Sequence, residues 1–225
     1  NKSYGIRQDK GDLILTDSEI SEHADLPLSS QSGVVISAGS ADIQRNMIRD
    51  NAKYGLAMFA GTLRLHDNVF VNNVSGVAEI YTDVDFVHSG NTASGSGQKG
   101  FVMGGLMKQD RIWTKDLPYI IQWNPIVYVD PGATLTIEPG VIVKFGFNTE
   151  LRVQGGAIDA IGTEEEPIVF TSVSDDAAGG DTNGDGGATA PFPGGWFHIR
   201  FMEGSTGALS HASVRYAGQT LSFCG

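Results

Sequence analysis

Little in this sequence could staple it or carry it across a bilayer. Its one cysteine, Cys224, rules out an internal disulfide and leaves a free thiol or a link between chains. No run of about 18 apolar residues occurs, so no helical segment is expected to span a membrane. Lys and Arg total 15 against 26 Asp and Glu, a net charge of −11. Phosphate-backbone binding needs a basic face, so this balance argues against nucleic acid as a partner. No charged-then-apolar leader opens the chain, so a secreted protein would be represented in mature or fragment form. The tail "HASVRYAGQTLSFCG" reads as strand, giving the expectation of a piece of something longer. Proline is scarce, at 8 residues, whereas glycine is abundant, at 30. That pairing suits many tight turns between short strands better than long helices.

Laid against itself, the first half repeats. "LILTDSEISEH" from Leu13, "ADIQRNMIRDN" from Ala41 and "LRLHDNVFVNN" from Leu63 align without gaps. Leu15, Ile43 and Leu65 share one column; Ile20, Ile48 and Phe70 share another; Ser18, Asn46 and Asn68 share the polar position between. Glycine opens each unit, at Gly33, Gly55, Gly76 and Gly100. A period near 22 residues fits two or three short strands per coil, with coils stacked at about 4.8 Å. Asparagines at the bends would tolerate left-handed angles and ladder their amides from coil to coil. The architecture expected is all-β, a right-handed parallel β-helix. "IQRNMIRDN" and "LHDNVFVNN" resemble the Asn-rich coils of that superfamily, which includes pectate-lyase-like enzymes and many non-enzymatic surface proteins.

From Tyr119 the apolar runs change character: "YIIQW", "PIVYV", "ATLTI", "VIVKF", "ELRVQG", "AIDAIG" and "PIVFTS" are rich in Val and Ile. Ile137, Val153 and Phe170 again suggest stacked coils. "VDPGATLTIEPGVIVKFG", "LRVQGGAIDAIGTEEEPIVFTS", "DDAAGGDTNGDG" and "PGGWFHIRF" resemble, in order, segments of bacterial extracellular parallel β-helix proteins. Two segments are expected: 1–115 as Asn-rich coils, and 116–225 as a continuing or second β-helix with an acidic loop at 174–195. The stretch "LMKQDRIWTKDLPYII" would join them.

The acidic loop carries the one metal-type signature. Asp181, Asn183, Asp185 and Gly186 form D-x-N-x-D-G, which in calcium loops aims alternate oxygens inward and turns sharply at the glycine. An EF-hand would place Glu at position twelve, but Phe192 stands there. Further oxygens would come from Asp175 or Asp176, backbone carbonyls or water. No Lys or Arg lies in sequence between Arg152 and Arg200, so close carboxylates would repel one another unless a cation intervened. A structural Ca²⁺ is therefore expected; an ion-free solvated loop and another ion are the alternatives.

A catalytic site is harder to find. Asp50, Asp67 and His66, with Arg45 and Arg49 beside them, fall on realigning coils but read as solvated turn residues. His88, His198 and His211 lack metal-ligand spacing, and neither Ser40 nor Ser210 sits in a G-x-S-x-G elbow. "GTEEEP" reads as an exposed turn. Trp113, Trp123 and Trp196, with Tyr119 and Tyr128, read as core or coil-end residues before they read as a sugar platform. Asn73-Val74-Ser75 fits a glycosylation acceptor.

The expected function is a non-catalytic, calcium-stabilised segment of an extracellular or cell-surface protein. Its role would be structural, adhesive or self-assembling, with open strand edges inviting end-to-end association. The alternative is a polysaccharide lyase or hydrolase, or a glycan-binding module without turnover. Its mark would be a carboxylate or basic cluster on three successive coils of one face, and the sequence alone offers two.

Overall fold

The computed structural model describes residues 4–23, 32–122 and 126–220, which form 24 β-strands and no helix. Trp123 and Cys224 lie outside the described residues. The chain divides into two compact units, Asn1–Val102 with Asp181–Gly186, and Met103–Gly180 with Gly187–Gly225.

Each unit is wound from three-stranded coils whose strands pair in parallel with the same strands of the next coil, a right-handed parallel β-helix. In the first unit one face stacks Ile6–Gln8, Val34–Ile36, Tyr54–Met58 and Gly76–Tyr81, and the first part of Gln98–Met107 follows. A second face stacks Asp12–Thr16, Ser40–Gln44, Thr62–His66 and Asp85–Ser89, and a third Glu19–Ser21, Met47–Arg49, Val69–Val71 and Thr92–Ser94. Because side chains alternate along a strand, in-register pairing puts every second residue into an interior column.

The columns read from the sequence are the columns observed. Leu15, Ile43 and Leu65 stand in register, as do Ile20, Ile48 and Phe70, nearly all without solvent contact. The repeat runs one coil further than its sequence suggests, since His88 and Ala93 continue those two columns. His88 is buried there, 4.3 Å from the Phe86 ring and 4.7 Å from Phe101. The opening glycines are less regular. Gly76 pairs with Tyr54, so it stands one place off the column of Gly33 and Gly55.

Two asparagine ladders run through the bends of the first unit. Asn68 Oδ1 accepts from Asn46 N and Nδ2, both at 3.0 Å. Asn91 Oδ1 serves Asn68 in the same way, and Asn73 Oδ1 serves Asn51. The amide hydrogens go on to main-chain carbonyls, Asn68 Nδ2 to Ile43 and His66. Each ladder residue thereby satisfies groups that a sharp bend would otherwise bury unpaired. The left-handed angles fall one residue earlier than expected, on Asp17, Arg45 and Asp67 before one ladder and on Glu22, Asp50 and Asn72 before the other. The ladder asparagine itself must keep its amide turned inward, so the residue ahead of it absorbs the bend. Asn73 is 2% exposed and its amide is spent on the ladder and on the Ile48 carbonyl, so a glycan there is incompatible with this fold. At a separate corner, Gly61 has φ of 106°, and a Cβ on it would lie 1.9 Å from the Gly39 carbonyl oxygen.

The second unit uses larger apolar residues in place of the ladders. Its faces are Val127–Val129, Leu151–Val153 and Ile199–Phe201; Arg111–Trp113, Thr134–Ile137, Ala157–Ile161 and Thr206–Ser210; and Tyr119–Ile121, Ile142–Phe145, Ile168–Ser172 and Ala212–Val214. Inside, Trp113 stacks on Tyr119 at 4.5 Å and Phe145 on Trp196 at 3.9 Å, with Trp196 Nε1 donating to the Arg215 carbonyl. These tryptophans are core, which removes them as a sugar platform. Burial pushes the Tyr119 hydroxyl pKa up, well beyond the ordinary tyrosine range. Ile137, Val153 and Phe170 are not one column, because each lies on a different face. Their even spacing spans two steps between faces, skipping Ile142–Phe145 in one interval and Ala157–Ile161 in the other. The true columns run Trp113–Ile137–Ala160–Leu209, Val129–Val153–Phe201 and Tyr119–Val143–Phe170–Val214.

Removing one rung tests the ladder. Asn68→Ala strands the Asn46 amide and two carbonyls, and is expected to cost about 2 kcal/mol or more in denaturant unfolding. Arg64→Ala, on the exposed side of the same coil, should stay within about 0.5 kcal/mol of the parent. Equal losses in the two variants would show that the ladder carries no special share of stability.

Candidate metal centre

Asp181–Gly186 packs on the start of strand Gln98–Met107 in the first unit. Lys99 N donates to the Thr182 carbonyl at 2.8 Å. Gly184, with φ of 75°, fits against Gly97, whose carbonyl oxygen a Cβ would meet at 2.4 Å. Only glycine permits that approach and that angle together.

The turn gathers its polar groups as the D-x-N-x-D-G spacing implies. Asp181 Oδ1 accepts from Asp185 N at 3.0 Å, and Oδ2 from Gly186 N at 3.1 Å. Asn183 Nδ2 donates to Asp185 Oδ2 at 2.8 Å, and carboxylate oxygens of Asp181 and Asp185 lie within 4.8 Å of each other. Gly186 supplies the left-handed angle, φ 68°, at position six. Asp181, Asn183 and Asp185 are therefore brought together, each half-buried, and their hard oxygens suit Ca²⁺ or a similar cation.

Sequence reasoning missed a competitor already at this turn. Lys99 Nζ donates to Asp181 Oδ2 at 3.0 Å and to the Asp181 carbonyl at 2.9 Å. The ammonium hydrogen bond, helped by the backbone amides, holds the Asp181 carboxyl below the usual aspartate pKa. The inference that no basic residue serves the loop holds along the chain but not in space. Its signal was the lone "QKGF" lysine, 82 residues from Asp181.

Asp175 and Asp176 belong to the second unit. Asp175 is 2% exposed, and its Oδ2 accepts from Thr171 Oγ1 at 2.6 Å. Its carbonyl and that of Gly180 accept from the wholly buried Lys144 Nζ, at 3.0 and 2.8 Å. Asp175 is thus built into the wall of the second unit. Asp176 is half-buried, with one shielded oxygen, Oδ1, that makes no hydrogen bond.

Three other polar candidates of the first unit, Arg45, Arg49 and His66, are engaged by side chains of a neighbouring coil. Arg45 forks onto Asp17 through Nε at 2.8 Å and Nη2 at 2.7 Å. Arg49 bridges Glu19 and Asp50, and His66 Nδ1 lies 2.8 Å from Ser89 Oγ. In the second unit, Tyr128, read from the sequence as a core or coil-end residue, and His198, which lacks metal-ligand spacing, flank a buried carboxylate. Glu150, 3% exposed, faces Arg152 and His198, and Arg152 lies over the Tyr128 ring. The signal for it was the repeated triplet "VYV", "LRV", "IRF", whose central residues share one register.

Compared with known proteins, residues 105–187 match the model of the pectate-lyase like beta helix domain. With the stacked parallel sheets, that match supports the superfamily read from the sequence. A 98-residue stretch is 34% identical to "Protein bark beetle" of Drosophila melanogaster, covering 42% of this chain and 3% of that protein. The chain therefore spans a small fraction of that relative's length. No solved structure matches.

The lowered Asp181 pKa makes a signed prediction. A carboxyl depressed in the folded state contributes stability above its unfolded pKa and loses it as pH falls through the folded value. The Gly186 amide resonance, reporting its bond to Asp181, should hold from neutral pH down through the ordinary aspartate range and shift only below it. Lys99→Met should move that midpoint upward. An unchanged midpoint would mean that the ammonium does not set this carboxyl.

Proposed function

We propose that these coils form a non-catalytic segment of an extracellular or cell-surface protein, structural, adhesive or self-assembling, whose acidic turn is ordered by calcium. The observation that carries the structural reading is the use made of the exposed polar groups in the first unit. Arg45, Arg49 and His66, which a catalytic groove would need free, tie one coil to the next. The resemblance of residues 115–220 to bacterial extracellular β-helix proteins supports an extracellular setting, and the acidic exterior suits solubility there.

Calcium would rest on Asp181, Asn183 and Asp185, the oxygen donors that one turn of the first unit brings together. The ion would supply order and charge compensation. Lys99 supplies part of that compensation already, so the ion and the ammonium compete for Asp181. The inward columns of the last described coil end on Phe201, Leu209 and Val214, all exposed at 40% or more. Continued stacking on that edge, by another copy or by more polypeptide, would bury them.

Calcium at a hundredfold excess over its dissociation constant should add about 2.7 kcal/mol of stability to the unit that holds it. Melting with calcium against chelator measures this. Asp185→Asn should abolish the difference, and Lys99→Met should strengthen calcium binding by about tenfold. Identical melts with calcium and chelator would remove the metal from the account. Release of unsaturated uronates or reducing ends from acidic glycans would replace the non-catalytic reading by a lyase or hydrolase. A strict monomer in light scattering of the intact natural protein would remove end-to-end association.

A further inference from the structure

In a parallel β-helix each outward residue sits beside its register partner, one strand spacing away, so charge must be arranged column by column. In the first unit signs alternate: Asp42 stands beside Arg64, and Arg45 lies between the coils of Asp17 and Asp67. The second unit departs from this on the face formed by Val127–Val129, Leu151–Val153 and Ile199–Phe201. Its outward column runs Leu106, Tyr128, Arg152, Arg200, which places two arginines in direct register. Like charges so placed destabilise a sheet.

The surroundings compensate only half of this. Glu150 is the carboxylate beside the pair, with its side chain 4% exposed, and it is divided between Arg152 Nη2 and His198 Nε2 at 3.1 Å. Arg152 lies 5.2 Å from the Tyr128 ring centroid, and its Nε is shielded and makes no hydrogen bond. Arg200 is exposed and has neither an ion pair nor a hydrogen-bond partner among the described residues. Two arginines and a half-exposed histidine therefore meet one buried acid, on a chain whose net charge is −11. Burying Glu150 fixes Arg152 over the tyrosine and leaves the outer guanidinium free.

We propose that Arg152 and Arg200, oriented by Glu150 and flanked by Tyr128 and His198, form a binding site for a tetrahedral oxyanion, the sulfate or phosphate ester of an extracellular ligand. One guanidinium satisfies the two oxygens of a planar carboxylate in a single fork. Two arginines in register on strands about 4.8 Å apart bring a second set of donors to the same face, and a sulfate or phosphate ester, with three outward oxygens, can use both. The ring of Tyr128 lies under the Arg152 guanidinium and helps to fix its position. The site lies wholly in the second unit and does not depend on the calcium turn, so either can fail alone.

The test is calorimetric titration of the whole chain at fixed ionic strength with inorganic sulfate, inorganic phosphate, a sulfated oligosaccharide, its desulfated counterpart and polygalacturonate. Saturable binding is expected for the tetrahedral anions, with the sulfated oligosaccharide at least about tenfold tighter than the desulfated one, the factor that one charge-assisted pair supplies. Arg200→Gln should lower that affinity by about tenfold or more with no fall in melting temperature, since the side chain has no partner to lose among the described residues. Arg215→Gln, an exposed arginine outside the column, should bind as the parent does. Tighter binding of inorganic phosphate than of sulfate would identify a phosphate ester as the source and leave the site standing. Equal affinity for polygalacturonate, equal losses from the two arginine variants, or parental binding by Arg200→Gln would each overturn the proposal.

Discussion

Everything in this molecule depends on in-register parallel pairing between one coil and the next. The pairing fixes which residues share a column, and a column admits only residues that tolerate their own kind at close range. Apolar side chains satisfy that condition by packing, as Leu15, Ile43 and Leu65 do. Asparagine satisfies it in another way, since its amide is donor and acceptor at once and can bond an identical neighbour. Asn46, Asn68 and Asn91 are one row of such amides, buried without cost because each completes the next. The two units apply these solutions in different proportion. Amide ladders turn the corners of the first, and stacked rings such as Phe145 on Trp196 fill the second.

This explains why the fold was legible in the sequence and much of the site was not. A column rule leaves a periodic trace, and the trace in the first unit was clear enough to give the residues of two columns and one ladder. It faded where the identity changed but the geometry did not: His88 and Ala93 occupy places held by leucine and phenylalanine one coil earlier. In the second unit Val and Ile are so common that even spacing matched the wrong interval, joining Ile137, Val153 and Phe170 across three faces. The ladder positions were visible, but their backbone angles were not. Asparagine's tolerance of the left-handed region pointed to the ladder residue, whereas tertiary hydrogen bonding moved the bend to Arg45 and Asp67.

The acidic loop shows the limit of local reading most sharply. Its D-x-N-x-D-G turn closes as the spacing implies, because that geometry is set within six residues. Its charge balance is set by residues far away in sequence. Lys99 reaches Asp181, and Lys144, buried in an apolar strand, holds the carbonyls of Asp175 and Gly180. A carboxylate cluster that looks unsupported along the chain is thus partly supported in space. A cation bound as proposed would share Asp181 with an ammonium. A lysine inside "VIVKF" is the kind of signal that composition hides, since one charge in an apolar run must have a buried reason.

The same rule that builds the core constrains what the surface can do. A residue repeated outward along a column repeats its charge at the strand spacing, and proteins of this architecture must alternate signs, insert a counter-charge from the side, or leave the charge for a ligand. Asp42 beside Arg64 is the first solution. Glu150 between Arg152 and His198 is the second, carried only as far as one arginine. Arg200 is what remains, and its position follows from the register alone: the strand Ile199–Phe201 must lie on Leu151–Val153 to close the columns ending in Ile199 and Phe201. The apolar interior therefore fixes where Arg200 stands. Function on this face comes from the single outward position in each triplet, because packing already commits the other two.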